Sequence, residues 1–344
     1  MQSLRRGVFT TLLIAVAISG CKYTGFAVAA NTPVLTKAHN WLVTHQQADG
    51  SFEVSGFAGF ETPDAVVALA EHGQTTLTWD STAARNAVAA VKKNNKSALD
   101  ALDDFADGSL SAGQAAKLIV LVAKPLGISP TAFDPQSDGA RNLVAAVDAG
   151  AAADGSYGAF NATLYAALAK QQTAGAVPAK TLAVIRAAQQ ANGGWNYSGD
   201  HSGTDIDVDS TALAVQALVA GKATPTDPNL VKALQFLADT QTAGGAWPSF
   251  GSDDPNSTST AILAVTAAGF DVTASCWRDT VRPARTGTAY ASPVTWLRNQ
   301  QAADGHIISA NDAFPPVNTF ATTQTVQALA RGWLPVAWLA PRSC

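Results

Sequence analysis

The stretch that decides the fold is VIRAAQQANGGWNY, residues 184–197, in which a helical apolar pattern runs into a glutamine pair, two glycines and a tryptophan. Three similar stretches are WLVTHQQADGSF from Trp41, FLADTQTAGGAWPSF from Phe236 and WLRNQQAADGHI from Trp296. Each predicts a helix followed by a chain reversal, which glycine permits at a helix end. The chain is therefore interpreted as a series of repeats.

A polar loop and a second helix with a capping residue follow each of these stretches. The second helices are TPDAVVALAEHG, DSTALAVQALVAG, STSTAILAVTAAG and TFATTQTVQALARG, and weaker copies of the whole unit are DDFADGSLSAGQAAKLIVLV and AAADGSYGAFNATLYAALA. Glycines at 108, 155, 194, 245 and 305 lie roughly 40 to 60 residues apart, as two-helix repeats require. Strand patterns are almost absent, so we predict an all-α chain of about six helical hairpins.

The composition of the second helices favours a closed ring over an open stack. They are rich in alanine and poor in charge, which suits a crowded inner layer, whereas the first helices carry Lys, Arg and Gln for solvent. We predict a single α/α toroid, an α6/α6 barrel of twelve helices, over residues 31–344. The second helices would all begin at one mouth of a central cavity, or their own side chains would fill the ring.

Residues 1–30 have the pattern of a signal peptide, because Arg5 and Arg6 precede an apolar run too short to span a bilayer. Cleavage is predicted either before Cys21, where Ile-Ser-Gly-Cys resembles a bacterial lipobox, or after AVAA at residues 27–30. The protein is therefore expected to be exported, either secreted or held at the cell surface as a lipoprotein through lipidation of Cys21.

The composition indicates which partners, what size of core and which disulfide to expect. The net charge of -4 and the scattered Lys and Arg offer no basic surface, so nucleic acid is not expected as a partner. With 47% apolar and 14% charged residues, the chain has enough apolar material for a sizeable core. Cys276 and Cys344 would remain after export, and a disulfide between them is expected in an oxidising compartment.

The segments QQANGGW and QTAGGAW resemble the QW-type repeats of squalene and terpene cyclases. The whole mature chain resembles the toroids of the terpenoid cyclase and protein prenyltransferase superfamily, with its prenyltransferase and squalene oxidase repeats. That superfamily also contains thioester domains and the cobalamin-binding domain of transcobalamin and intrinsic factor, so the resemblance implies a fold and leaves the chemistry open. A prenyltransferase would need zinc, which is not expected because no cysteine accompanies Asp209.

The mouth of the predicted cavity would combine helix caps with aromatic side chains, as a pocket for an amphipathic small molecule requires. The residues expected to bind such a ligand are Asp64, Tyr157, Asn161, Tyr197, His201, Asp205, Asp207, Asp209, Phe250 and Phe314. Among the inner helices, the predicted caps are Asp64, Asn161, Asp209, Ser257 and Thr319. The repeat aromatics Phe52, Trp195 and Trp247 are expected to be structural.

Residues 204–218, TDIDVDSTALAVQAL, place three aspartates at alternate positions before a helix. Class II terpene cyclases protonate their substrate with the middle aspartate of DxDD. The resemblance implies that Asp209 is the catalytic acid and Asp207 its partner, but Ser210 replaces the last aspartate. An EF-hand would need Gly at the sixth position and Glu at the twelfth, so only a looser calcium site remains. The simplest interpretation is that Asp209 or Ser210 caps the helix.

The same stretch resembles the transcobalamin pattern, in which a histidine-bearing loop leads into a VDTAAMA-like helix that residues 208–212 match. This resemblance implies that His201 is a metal ligand to the cobalt of a bound corrinoid. Three functions stay open. They are an exported binder of a corrinoid (cobalamin-like) or isoprenoid molecule that acts with a separate lid or transporter protein, a terpene cyclase-like isomerase, and a cell-surface scaffold.

Overall fold

The computed structural model describes residues 32–53, 59–205, 207–283, 289–309, 319–330, 339 and 342. The predicted signal peptide, Cys21, Phe314 and Cys344 lie outside these residues. Export, lipidation, ligand binding by Phe314 and a disulfide between Cys276 and Cys344 therefore stay predictions.

Two layers of helices make up the described chain. The inner layer consists of α2 (Thr62–His72), α5 (Ala112–Leu118), α7 (Phe160–Ala174), α9 (Val208–Ala220), α11 (Pro255–Ala267) and α14 (Phe320–Ala330). A π-helical turn, Ile119–Ala123, continues α5. The outer helices are α1 (Pro33–His45), α3 (Ser81–Ala90), α4 (Ala98–Ala106), α6 (Leu143–Ala149), α8 (Ala179–Ala187), α10 (Pro228–Thr240), α12 (Cys276–Val281) and α13 (Pro293–Asn299).

The inner helices close into a ring. α5 packs against α7, α7 against α9, α9 against α11, α11 against α14 and α14 against α2, while α2 contacts the π-helical turn that extends α5. The predicted all-α toroid is confirmed. The helices exceed the predicted twelve because two outer positions hold two short helices each, α3 with α4 and α12 with α13. No helix of the described residues has the length and apolarity needed to cross a membrane.

Strands occur only as two short antiparallel hairpins within the described residues. β1 (Lys92–Lys93) pairs with β2 (Lys96–Ser97) between α3 and α4. β3 (Trp247–Ser249) pairs with β4 (Ser252–Asp254) ahead of α11, with Trp247 opposite Asp254. The hairpins connect helices and leave the layered arrangement intact.

The repeated glutamine joins each hairpin to the next one. Gln189 Nε2 donates to the carbonyl of Gly193 in its own turn at 2.8 Å and to the carbonyl of Asn229 in α10 at 2.9 Å. Gln301 Nε2 donates to the carbonyl of Val34 in α1 at 2.8 Å. The same bond thus joins neighbouring repeats and also ties the last repeat to the first.

The repeated glycine is required by a close approach as well as by its backbone. Gly193 has φ +94, and a Cβ there would lie 2.4 Å from the carbonyl oxygen of Lys232 in α10. Gly305 has φ +109, and its Cβ would lie 2.4 Å from the carbonyl oxygen of Lys37 in α1. Glycine adopts this φ readily and has no Cβ to collide with the carbonyl oxygen. The neighbouring outer helix can therefore pack directly against the turn.

The residue after each turn fixes the start of an inner helix. Trp195 and Trp247 are fully buried, and their Nε1 groups donate to the carbonyls of Ile185 and Leu237. Their backbone N–H groups donate to threonines of the following inner helix. The corresponding pairs are Phe52 with Thr62, Tyr157 with Thr163, Trp195 with Thr211, Trp247 with Thr258 and Ile307 with Thr322. This threonine gives a common register for comparing the inner helices.

Candidate functional site

The centre of the ring contains a cavity of about 890 Å³. Side chains from all six inner helices line it, together with Phe105 of α4 and the loops that precede α2, α7 and α9. Its apolar wall includes Leu121, Leu164, Leu213 and Leu263. The side chains of the described residues therefore do not fill the ring.

Five of the residues predicted to bind a ligand line this cavity, namely Asp64, Tyr157, Asn161, Tyr197 and Asp209. Three of them belong to the first turns of α2, α7 and α9, and the two tyrosines belong to the preceding loops. The inner helices that carry them thus present their N-terminal ends to one space, as the alternating hairpins predict.

The predicted helix caps are wrong for α9. Asp207 has extended backbone and caps the helix, because its Oδ1 accepts a hydrogen bond from the Ser210 backbone N–H at 2.8 Å. Asp254 caps α11 in the same way through Ser257 N–H. Since α9 begins at Val208, Asp209 already lies within its first turn and faces the cavity. Asp207, predicted as a catalytic partner, does not line the cavity.

Other inner helices also differ from the predicted capping. Asp64, Asn161 and Ser257 lie inside their first turns and cap nothing. The N–H groups at the start of α2 instead reach the Glu53 carboxylate, which accepts from Glu61 N–H at 2.8 Å. Thr319, by contrast, directly precedes α14 as predicted, and its carbonyl accepts from Thr323 N–H at 3.0 Å. Its hydroxyl donates to the Glu61 carboxylate at 2.8 Å. A capping residue has an extended backbone and lies just before the first helical residue. Because these helices begin earlier than predicted, Asp64, Asn161 and Ser257 lie inside the helix and their side chains are available for other contacts.

Three predicted ligand-binding residues lie away from the cavity. His201 lines a separate, shallow depression with Phe160 and Gly199. Asp205 is exposed and accepts a hydrogen bond from Asn196 Nδ2 at 3.1 Å. Phe250 is 99% exposed, because the β3–β4 turn directs it into solvent. The prediction that these side chains line a common cavity is therefore wrong.

The three alternate aspartates diverge from one another. Asp205 bonds to a loop asparagine, Asp207 caps α9 and Asp209 faces the cavity. The looser calcium site that the sequence left open for these three aspartates is not formed. Alternate residues of an extended loop share one side only while the loop stays extended, and the start of α9 at Val208 ends that alternation.

Asp209 is a carboxyl group between two hydroxyls. Its Oδ1 lies 2.7 Å from Thr260 Oγ1, and its Oδ2 accepts from Ser257 Oγ at 3.1 Å. Burial within the protein raises the pKa of Asp209 to about 6; the Thr260 hydrogen bond opposes this rise and the Asp207 charge adds to it. The side chain is nevertheless accessible from the cavity.

The hydroxyl of Thr260 can serve either protonation state of Asp209. Thr260 Oγ1 also lies 3.1 Å from the carbonyl oxygen of Ser257. Its single hydrogen can go to the Asp209 carboxylate, or to that carbonyl while a protonated Asp209 donates to the hydroxyl oxygen. Asp209 can thus hold or release a proton without losing its hydrogen bond.

A buried lysine that the sequence interpretation missed lies across the cavity. Lys117 Nζ is 2.8 Å from Asp64 Oδ2 and donates to the carbonyl of Phe60 at 2.5 Å. It also lies 4.7 Å from the ring centre of Phe60 and 5.6 Å from that of Phe320. Burial lowers the pKa of Lys117, but the charge and hydrogen bond of Asp64, together with the charges of Tyr165 and Glu53, raise that pKa above its usual value.

Two further polar groups surround this ion pair. Gln327 Nε2 donates to Asp64 Oδ1 at 3.2 Å. The Tyr165 ring centre lies 5.9 Å from Lys117 Nζ, and burial raises the pKa of its phenol to about 12. The tyrosine is therefore a neutral hydroxyl that lines the cavity.

The sequence contains a signal for these residues. Lys117 is the single charge within the apolar run of residues 112–123, where solvent exposure does not explain it. Five inner helices carry, near their N-terminal ends, the repeated threonine that bonds to the preceding turn. In each of them, the residue two positions after this threonine lines the cavity. Those residues are Asp64, Tyr165, Leu213, Thr260 and Gln324.

No protein-family model matches the sequence, and no curated protein is detectably similar to it. Solved structures do resemble it. Type II terpene cyclase MstE from Scytonema, in its apo form, has a TM-score of 0.61 and 14% identity over 89% of this chain and 98% of that chain. An MstE variant in complex with the substrate geranylgeranyl dihydroxybenzoate has a TM-score of 0.59 and 14% identity, over 87% of this chain and 96% of that chain.

A protein from Actinoplanes is also similar, with a TM-score of 0.54 and 17% identity over 87% of this chain and 98% of that chain. Nearly the whole length of each of these structures is covered, so the match is to a complete toroid of comparable size. Identities this low show the fold alone. Together with the closed inner ring, they establish that this chain has the terpenoid cyclase-like α/α toroid fold.

Proposed function

We propose that the protein binds an amphipathic isoprenoid-like small molecule in the central cavity. The carrying observation is the cavity itself, which has a volume of about 890 Å³ and walls of leucine and aromatic side chains with a few polar groups. Sites for small molecules usually span about 300 to 1,000 Å³ and have this mixture of lining groups.

The polar groups suggest how such a ligand is oriented. The Lys117–Asp64 pair and Tyr165 form one polar region, and Asp209 with Thr260 forms another. The hydrocarbon chain would contact the leucines between them. The MstE structure with geranylgeranyl dihydroxybenzoate, a ligand with an isoprenoid chain and a polar aromatic acid, supports this choice of ligand class.

A calorimetric titration tests this proposal. The delipidated protein is titrated with geranylgeranyl dihydroxybenzoate, and saturable binding of one molecule per chain at micromolar concentration is expected. Titration with a C20 alkane-chain acid that lacks the isoprenoid methyl branches distinguishes this specificity from general lipid binding. If neither ligand binds saturably, the proposal is refuted.

Cobalamin is the alternative ligand that the local resemblance of the His201 loop suggests. His201 lies outside the central cavity, so a corrinoid coordinated by it would have to occupy the neighbouring depression. We therefore propose cobalamin second. Saturable binding with a cobalt spectrum that changes in His201→Ala would favour the corrinoid, whereas an unchanged spectrum would eliminate cobalt ligation by His201.

A second candidate function is acid-catalysed cyclisation, which the position of Asp209 favours. A protonated Asp209 would transfer its proton to a carbon of a substrate alkene, and the resulting cation would be attacked by a second alkene. The faces of Phe60, Tyr157 and Phe320 would stabilise the positive charge. Loss of a proton from the final cation to water, with reprotonation of Asp209 from solvent, would complete an isomerisation.

Product analysis tests the cyclase proposal. Polyprenyl substrates are incubated with the protein and the extracts are analysed by mass spectrometry. Cyclised products should form, and Asp209→Asn should abolish them while Asp205→Asn, in the same loop but outside the cavity, preserves them. Products that persist in Asp209→Asn would eliminate Asp209 as the acid.

We also propose export and lipid anchoring, on the strength of the N-terminal sequence pattern. Wild-type protein should be processed, reach the membrane fraction and incorporate labelled palmitate, whereas Cys21→Ala should not be labelled. Processing without label in the wild type would favour cleavage after residues 27–30 and secretion. A separate lid or transporter protein is proposed as a partner.

A further inference from the structure

Three carboxylates meet outside the central cavity. Asp103 belongs to α4, and Asp134 and Asp138 belong to the loop between the π-helical turn and α6. One oxygen from each of them lies within 4.8 Å of the others. This is the one group of three potential metal-ligating side chains in the described part of the chain.

The loop carries a sequence pattern that suits a cation. Residues 134–139 read DPQSDG, with Asp at the first and fifth positions and Gly at the sixth, as in the D-x-[DN]-x-[DN]-G calcium loop. The pattern departs from an EF-hand at its third position, Gln136, and at its twelfth, where Ala145 replaces the bidentate Glu. An additional carboxylate from elsewhere would be needed to complete such a site.

Backbone bonds close this loop at its base. Phe133 N–H donates to the Arg141 carbonyl at 2.8 Å, and Arg141 N–H donates to the Phe133 carbonyl at 2.9 Å. Phe133 is fully buried and anchors the bridge. The two loop aspartates are therefore presented from a fixed frame.

Asp103 supplies the additional carboxylate and has an oxygen without a partner. Its side chain is fully buried, and its Oδ2 accepts a hydrogen bond from Gln136 N–H at 2.6 Å. Its Oδ1 is buried without a hydrogen-bond partner. Burying a carboxylate oxygen in this way is costly unless another charge compensates for it.

The neighbouring cations do not neutralise the cluster. Lys96 Nζ pairs with Asp104 at 3.4 Å, and Arg141 Nε pairs with Asp107 at 2.9 Å. One oxygen of each carboxylate lies within 4.8 Å of the others, and Asp103 is fully buried. The three carboxylates thus repel one another in the absence of a bound cation.

We propose that Asp103, Asp134 and Asp138 bind one calcium ion. Three carboxylates with no nitrogen or sulfur ligand select a hard cation. Calcium–oxygen distances of about 2.3 to 2.6 Å allow two ligand oxygens to be at most about 5 Å apart, and the three oxygens here lie within 4.8 Å of one another. Magnesium is less suited because it demands near-ideal octahedral geometry, whereas these ligands come from a helix and a loop. The exposed side at Asp138 leaves room for water ligands.

Calorimetry on the full mature chain, stripped with a chelator, tests the calcium site. Calcium should bind at one ion per chain with a dissociation constant on the order of 10⁻³ M or tighter, and it should raise the melting temperature. Asp138→Asn should weaken calcium binding at least tenfold. Asp154→Asn, the same exchange in another exposed loop outside the cluster, should leave binding unchanged.

The charge repulsion provides a second measurement. In chelator, Asp138→Asn should melt at or above the wild-type temperature, because one repelling charge has been removed. In saturating calcium the order should reverse. Magnesium should produce a smaller shift at equal concentration. The absence of saturable calcium heat up to about 10 mM, or a melting order that calcium does not change, would overturn the proposal.

Discussion

The Lys117–Asp64 pair places two opposite charges at the cavity, where each depends on the other. Both side chains are almost completely buried, and their charged atoms lie 2.8 Å apart. Removing one partner would leave an uncompensated buried charge, whereas removing both would leave neither charge of the pair. The pair is therefore expected to set both the stability of the ring and the polarity of the cavity.

Lys117→Met should destabilise the protein by about 3–5 kcal/mol, since Asp64 loses its counter-charge. The double variant Lys117→Met with Asp64→Leu should recover most of this loss. Chemical denaturation of the two single variants and the double variant measures the coupling. Additive losses would show that the two charges do not stabilise each other.

The buried carboxyl of Glu61 predicts a pH dependence of stability. Glu61 is 3% exposed, and burial raises its pKa to about 7; the Thr319 hydrogen bond opposes this rise, and the Glu53 and Asp64 charges add to it. The folded protein therefore favours the protonated form. The resulting stabilisation is present below the unfolded pKa of 4.5 and is lost as pH rises through about 7.

Melting temperatures at pH 5 and pH 8 should therefore differ more in the wild type than in Glu61→Gln. Glutamine retains a carbonyl oxygen for the Thr319 hydroxyl and does not ionise. The stabilisation involved is about 3 kcal/mol at most. Equal pH slopes in the two proteins would contradict the proposed protonation of Glu61.

Single residues also show where sequence prediction ends. The aspartate motif identified Asp209, which does line the cavity, but it assigned the cap to Asp209 or Ser210 when Asp207 performs it. A shift of one residue at the start of a helix decides whether a side chain caps that helix or faces the ring. Local pattern does not determine that boundary.

The helical hairpin is the element that the sequence predicts best. The Gln and Gly positions recur because they join one hairpin to the next, so they are visible as repeats. The division of one outer position into α3 and α4 was missed. Asn94 and Asn95 have positive φ at the β1–β2 turn, a conformation that asparagine adopts more readily than most residues.

Gly305→Ala tests the docking of the last repeat onto α1. The new Cβ would lie 2.4 Å from the Lys37 carbonyl oxygen, so α1 would have to shift. The matched control is Gly251→Ala, where φ is also positive, at +85, but a Cβ would have no neighbouring atom within 4 Å.

Both variants are destabilised by placing alanine at positive φ. The free energy of unfolding of Gly305→Ala should fall by about 1–3 kcal/mol more than that of Gly251→Ala, because the new methyl group overpacks against α1. Thermal or chemical unfolding measures the difference. Hydrogen exchange should also increase in α1 of Gly305→Ala alone. Equal losses in the two glycine variants would show that the close approach to α1 contributes nothing.

For the whole molecule, closure of the ring follows from alanine-rich inner helices, and the structure confirms it. The contents of the ring could not be predicted in the same way. The side chains that meet in the cavity come from different inner helices and are distant in sequence, as Lys117 and Asp64 are. Which of them meet depends on how each helix is rotated and shifted relative to its neighbours. The three aspartates that form the proposed calcium site are likewise brought together only by the packing of α4 against a loop.

Filling the cavity separates a ligand site within the ring from binding elsewhere on the molecule. Leu213 lines the cavity, so Leu213→Trp should occupy its volume without altering the polar groups. Leu77, which is 55% exposed, provides the control Leu77→Trp. Calorimetric titration with geranylgeranyl dihydroxybenzoate should show at least tenfold weaker binding for Leu213→Trp and wild-type binding for Leu77→Trp. Equal affinities in the two variants would contradict binding within the ring.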